Sequence, residues 1–151
     1  MINICMSILL AIVLLFIVCF AVLLVWAYLD GEPAHCSTDD ALWEAICTVE
    51  SGNDQFAYNP KEKAAGIAQI RPCVVDDLNR IAKSEKWTLL DRWNIEKSRK
   101  MFNEYTGHYA KTGNDEERAR IWNGGPRGAH KHATKEYWNR VKDAMDKRKG
   151  Q

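Results

Sequence analysis

A small α-rich domain behind one membrane-spanning helix is the fold this 151-residue sequence predicts. Three observations carry it: an uncharged apolar run over residues 8–29, apolar residues at helical spacing in several later segments, and almost no strand-like alternation. No internal repeat appears, and the length beyond the run suits one compact domain. The boundaries read as an anchor over 1–30, a linker over 31–37 and a domain over 38–149.

The run from Ile8 to Leu29, ILLAIVLLFIVCFAVLLVWAYL, contains no charge and no proline. About 20 such residues cross a bilayer as a helix. A secretory signal would carry a basic start, a shorter apolar core and a small-residue cleavage site. Here no Lys or Arg precedes the run, and AYLDGEPAHC offers no A-x-A pattern, so a retained anchor is preferred to a cleaved signal. Bulky His35 argues against lipoprotein processing at Cys36. Only the amino terminus is positive on the near flank, while Asp30, Glu32, Asp39 and Asp40 follow the run. This predicts an N-terminus inside and a domain outside.

After a linker containing Gly31 and Pro33, Ser37 and Thr38 are placed to cap a helix whose first turn holds Asp39 and Asp40. That helix reaches about Glu50, with Leu42, Trp43, Ile46 and Val49 on its core face. SGNDQFAYNPKEKAAG holds too many turn formers for a regular element. Pro72 suits the first position of the next helix, where Val74, Val75, Leu78, Ile81 and Ala82 recur at core spacing. Asn94 caps a third, with Ile95, Ser98, Phe102, Tyr105 and Tyr109 on one face. Asn114 opens a fourth, with Glu117 completing a capping box, and GGPRG ends it. A last helix begins near Thr134 and carries Tyr137, Trp138, Val141 and Met145.

All Lys and Arg lie beyond Cys36 with most of the acids, leaving the domain mildly positive. That is too little charge to indicate nucleic acid as a partner. Cys5 and Cys19 belong to the apolar segment, and Cys36, Cys47 and Cys73 to the rest. One disulfide among those three is open and unassigned, and no C-x-x-C pattern indicates zinc or thioredoxin-like chemistry. Cys47 reads as a small buried apolar residue. His130 and His132 in GAHKHA read as a solvated loop, so neither metal nor cofactor is expected.

Glu50 stands at the end of its helix, where the macrodipole disfavours negative charge. A residue set against its local preference is where a functional site is expected. Three separated segments stand out: ESG at Glu50–Gly52, AAGIAQIRP before the second helix and RIWNGGPRG after the fourth. Together with ATKEYWNRV near the end, they resemble the SLT-type lytic transglycosylases and the related goose-type lysozymes. That family shows E-S-G, G-L-M-Q-[IL]-x-P, A-Y-N-x-G-P-G and E-T-x-x-Y-V-x-x-V in the same order. The resemblance spans nearly all of Asp39 to Val141 and implies a lysozyme-like domain acting on peptidoglycan glycan strands.

It implies that Glu50 is the catalytic acid, and the local chemistry agrees. Burial against Trp43, Ile46 and Cys47, at the negative end of a helix, disfavours the carboxylate and keeps the proton available. The resemblance further implies that Ser51 orients Glu50 and that Gly66, Ile67, Ala68 and Gln69 line the sugar groove. Asn123 would bind sugar, Gly124 would shape its turn, Tyr137 would reach the catalytic carboxyl, and Trp122 would stand beside the sugar. Ala68 replaces the usual Met, Trp122 the usual Tyr and Ala133 the usual Glu, and the loop from Pro60 to Gly66 is one residue longer. These departures bear on substrate subsites more than on the reaction.

Glycosidases usually need two carboxylates, whereas transglycosylases of this type use one Glu and the sugar's own 6-hydroxyl, giving 1,6-anhydro-N-acetylmuramic acid ends. Among Asp54, Glu62, Asp76 and Asp77, none falls plainly on a family position. The sequence reading is therefore a membrane-anchored lytic transglycosylase facing the peptidoglycan of a bacterial or phage-associated membrane, held to the bilayer through residues 8–29. A hydrolytic lysozyme and a non-catalytic glycan-binding membrane protein are the alternatives. A released endolysin fits less well, because the run is Leu, Ile and Val throughout rather than rich in Gly and Ala.

Overall fold

The computed structural model describes residues 38–149, with side chains from Ala41 onward. All of the described residues fall within one compact unit, Cys36–Gln151. The predicted anchor and linker, and the capping side chains of Ser37 and Thr38, lie outside what is described, although the helix does begin at Thr38. Among the described residues no helix is long and apolar enough to cross a membrane.

The domain is mainly helical, in the order α1 (Thr38–Ser51), β1 (Tyr58–Asn59), β2 (Ala64–Ala65), α2 (Pro72–Ala82), α3 (Ile95–Tyr109), α4 (Asp115–Gly124) and α5 (Thr134–Lys149). Short 3-10 turns at Leu89–Trp93 and Gly128–His130 precede α3 and α5. Local signals set these boundaries. Pro72 opens α2, the Asn94 side chain accepts from Lys97 N at 3.0 Å, and that of Asn114 accepts from Glu117 N at 2.8 Å. Glu117 does not close the predicted capping box. It turns outward to accept from the Thr112 amide at 2.7 Å and hydroxyl at 2.6 Å.

The apolar faces meet in one core. Leu42 and Ile46 of α1, Val74 and Leu78 of α2, Phe102 of α3, Ile121 of α4 and Val141 of α5 are all buried. Each such side chain contributes about 1.5–3 kcal/mol when removed from water. Trp43 and Trp122 both pack against Phe102, with ring centroids 5.6 and 5.1 Å from it. Two predicted core positions lie outside: Ile95 is exposed at the first turn of α3, and Ala82 at the last of α2, where each helix end leaves the core.

The region from Ser51 to Ala65 is not irregular throughout, as its turn formers suggested. Tyr58 pairs with Ala65 and Asn59 with Ala64 in a two-residue antiparallel hairpin. Its turn is local: the Asn59 side chain accepts from the Lys61 amide at 3.1 Å, and Lys63 takes φ +53°. Its position is not. The buried Arg92 guanidinium donates to the carbonyls of Lys63 at 2.8 Å and Ile70 at 3.0 Å, fastening hairpin to 3-10 turn. Gly66 fits beneath this clamp because a Cβ there would stand 1.8 Å from the Arg92 carbonyl oxygen.

Candidate active site

The end of α1, the hairpin, the start of α2 and the end of α4 enclose a cleft of about 400 Å³. Glu50 enters from α1, Asn59 and Glu62 from the hairpin and its turn, Gln69 and Arg71 from the segment leading into α2, and Asn123 from α4. Glu50 is half-buried. Its Oε1 accepts a 2.7 Å hydrogen bond from the Tyr137 hydroxyl, which α5 delivers from 87 residues away.

Burial dominates the electrostatics of Glu50 and raises its pKa above the ordinary carboxylate value. The Tyr137 hydrogen bond is the strongest opposing influence, followed by the charges of Arg71 and Arg140, while Glu62 adds to the upward push. Tyr137 itself is driven well above the usual phenol range by burial and by Glu50, so it remains a donor. The pair therefore orients a carboxyl group that keeps its proton to higher pH than a surface glutamate. Such a group, open to a cleft, is equipped for general acid catalysis.

Glu62 brings a second carboxylate to the same cleft, 3.8 Å from the Arg71 guanidinium. Arg71 also donates to the Asn123 carbonyl at 3.2 Å, bracing the α4 side against the α2 side. Among the other candidate second acids, Asp54 caps the Phe56 amide at 2.8 Å, and Asp77 accepts from the Tyr109 hydroxyl and Arg80. Neither they nor Asp76 line this cleft.

The residues singled out in the sequence divide into two groups. Glu50, Gln69, Trp122 and Asn123 line the cleft, and Tyr137 stands behind Glu50. Ser51, Gly66, Ile67, Ala68 and Gly124 do not line it. The Ser51 hydroxyl lies 2.7 Å from the Ile67 carbonyl and 3.2 Å from that of Cys47. It ties the GIAQ segment to α1 rather than touching Glu50. Ile67 and Ala68 are buried, and the Ala68 carbonyl accepts from Trp122 Nε1 at 3.3 Å. Trp122 is thus largely a core residue, edge-on to Phe102 and Tyr105, with only an edge left for the cleft. Gln69 adopts φ +49° and spends its amide hydrogens on the carbonyls of Ala57 and Gly66, both at 3.0 Å.

Over 116 residues the chain is 33% identical to a lysozyme of Ostrea edulis, across 72% of this chain and 84% of that protein. The chain belongs to the lysozyme family. A chain in the crystal structure of Aeromonas hydrophila PliI in complex with Meretrix lusoria lysozyme is similar as well, with a TM-score of 0.58 and 27% identity over 68% of this chain and 87% of that one. No protein-family model matches. The lysozyme kinship in the predicted resemblance is therefore shown, and nothing in these comparisons singles out the SLT type or the goose type.

For a lysozyme-family cleft, the residues that sequence reasoning passed over are Asn59 and Arg71. Arg71 sits inside the quoted AAGIAQIRP segment, at a position the family pattern leaves free. Asn59 precedes Pro60 and reads as a turn former, which it also is. Arg92 is the third omission: it builds the cleft wall from behind, and a buried arginine bonded only to carbonyls leaves no signature in the sequence. Cys47 and Cys73 are both free thiols, the first buried and the second exposed, and burial pushes Cys47 up to about 12.

Proposed function

We propose that the protein cleaves the glycan strands of peptidoglycan, with Glu50 giving its proton to the glycosidic oxygen between N-acetylmuramic acid and N-acetylglucosamine. The supporting observation is the raised pKa of Glu50, oriented by Tyr137 at the wall of an open cleft. As the C–O bond breaks, positive charge develops at the anomeric carbon and the freed Glu50 carboxylate lies beside it. Water then adds at that carbon and gives up a proton to Glu62, the second carboxylate of a hydrolytic, muramidase route. Kinship with lysozymes favours this outcome.

The lytic transglycosylase route is the second reading. It is favoured by the four segments in family order and by the Glu62–Arg71 ion pair, which leaves Glu62 less free to handle water. There the tethered 6-hydroxyl attacks the anomeric carbon and returns its proton to Glu50. Intramolecular attack gains from effective molarities far above those of a free reactant. Digestion of purified peptidoglycan by the full chain separates the two. Hydrolysis gives ends reducible by borohydride, and Glu62→Gln then lowers the rate about 100-fold. Ends lighter by one water and inert to borohydride, with Glu62→Gln nearly as active, would establish the transglycosylase route. Intact strands would refute cleavage altogether.

We further propose that residues 8–29 hold the domain to a bacterial or phage-associated membrane, on its peptidoglycan side. The support is the uncharged apolar run without basic residues at its start. Protease added to spheroplasts should degrade the domain, and protection until lysis would reverse the orientation.

A further inference from the structure

Beside the cleft lies a second groove of about 470 Å³. Arg71 and Val74 wall both, and Gly124 and Gly125 of the groove follow directly on Asn123 of the cleft. Tyr105, on α3, lines it while only 4% exposed. Its ring is fixed edge-on against Tyr109 at 5.1 Å and Trp122 at 6.0 Å.

The neighbouring Tyr109 hydroxyl is fully engaged, accepting from Arg80 at 2.8 Å and donating to Asp77 at 2.5 Å. Tyr105 differs. No described residue hydrogen-bonds its hydroxyl, yet no polar side-chain atom among the described residues is both enclosed and unpartnered. The Tyr105 hydroxyl is therefore not sealed off, and the groove is the cavity that Tyr105 lines. Burial, reinforced by Asp77, pushes its pKa to about 12, so it offers a proton at neutral pH. Water can satisfy this donor from its unsealed side, and a ligand acceptor atom would take that water's place.

The rest of the lining narrows the ligand. Arg71 and Arg80 suit carbonyl or carboxylate oxygens, the exposed Asp76 carboxylate suits an amine, and Pro126 gives an apolar edge. Arg71 is already paired with Glu62 and Arg80 with Asp77, but a guanidinium carries five N–H donors. A short peptide has the oxygens, amine and apolar side chains that complement this lining. We propose that this groove receives the peptide arm of the sugar seated in the cleft, with a carbonyl or carboxylate oxygen of that arm accepting from the Tyr105 hydroxyl. The proposal rests on peptidoglycan being the substrate.

The test compares kcat/KM of the full chain on peptidoglycan strands with and without their peptides, the latter made by amidase digestion. Tyr105→Phe keeps the ring and removes only the hydroxyl. The ratio of activity on peptide-bearing strands to that on stripped strands should fall about 10-fold. An unchanged ratio overturns the proposal, and an equal loss on both substrates would assign the groove to sugar instead. A second measurement needs no cleavage. Cys73 is exposed on the same groove, and its alkylation in the full chain, followed by mass spectrometry, should be slowed by an N-acetylmuramoyl peptide but not by N-acetylglucosamine oligomers. Should the wild type cleave neither substrate while the muramoyl peptide still protects Cys73, cleavage is refuted and the groove assignment stands. Absence of protection refutes the groove assignment.

Discussion

Two glutamates lie at opposite ends of helices, and their surroundings drive them in opposite directions. Glu117 is in the first turn of α4, where exposed amides favour negative charge. The hydroxyl and amide of Thr112 donate to it, and these bonds pull its pKa down to about 2. Glu50 is in the last turn of α1, a turn without a basic residue. Burial raises its pKa, and a single hydrogen bond from Tyr137 opposes that without cancelling it. The first environment is built for a charge and the second for a proton. The difference teaches that the carboxyl group acquires its role from how deeply it is buried and from how many donors surround it.

Breaking the Glu50 side of this contrast should have the largest effect. Glu50→Gln keeps the shape and removes the transferable proton, so cleavage of peptidoglycan should fall about 10,000-fold or more. Stability should move the other way. A folded pKa above the unfolded one means that stability falls as pH rises from the ordinary glutamate value through the folded one. At neutral pH Glu50→Gln is therefore expected to melt higher than the parent, with the curves converging in acid. Dye release from labelled peptidoglycan and thermal melts across pH check both halves. Activity within tenfold of the parent would pass the acid role to Glu62.

Breaking the Glu117 side should be milder and confined to stability. Its lowered pKa contributes stability that is complete above the ordinary glutamate value and lost as pH falls toward about 2. Glu117→Gln should cost about 1 kcal/mol at pH 7 and clearly less near pH 2, where the carboxylate is half protonated, with cleavage unaffected. Thermal denaturation at the two pH values measures it, and an equal cost at both would remove the charge from the explanation.

The contrast was half legible in the sequence. Asn114 and Glu117 announce a helix start because capping is a three-residue pattern, although the sequence assigns Glu117 to the Asn114 amide and the structure gives it to Thr112. Glu50 announces itself through its unfavourable helix end and the segments that follow. Helix-period features were readable in the same way: the core of α2, the cap of α3 and the burial of Tyr137 and Val141 depend on neighbours within one or two turns. The hairpin was not readable. Its strands hold two residues each, too few for alternation to register, and Arg92 fixes it from 29 positions away in sequence. The same long-range clamp carries Asn59 and Glu62 to the cleft, and of the candidate second acids Glu62 is the one that lines it.

Direct titration of the two carboxyl groups tests the central claim. With glutamate side chains carbon-13 labelled in the full chain, and Glu50→Gln and Glu117→Gln used to assign the signals, the two midpoints can be read in one experiment. Glu50 should titrate above the ordinary glutamate value near 4.5 and Glu117 near 2. A Glu50 midpoint at or below the ordinary value would contradict the account, because the cleft would then hold a carboxylate with no proton to give.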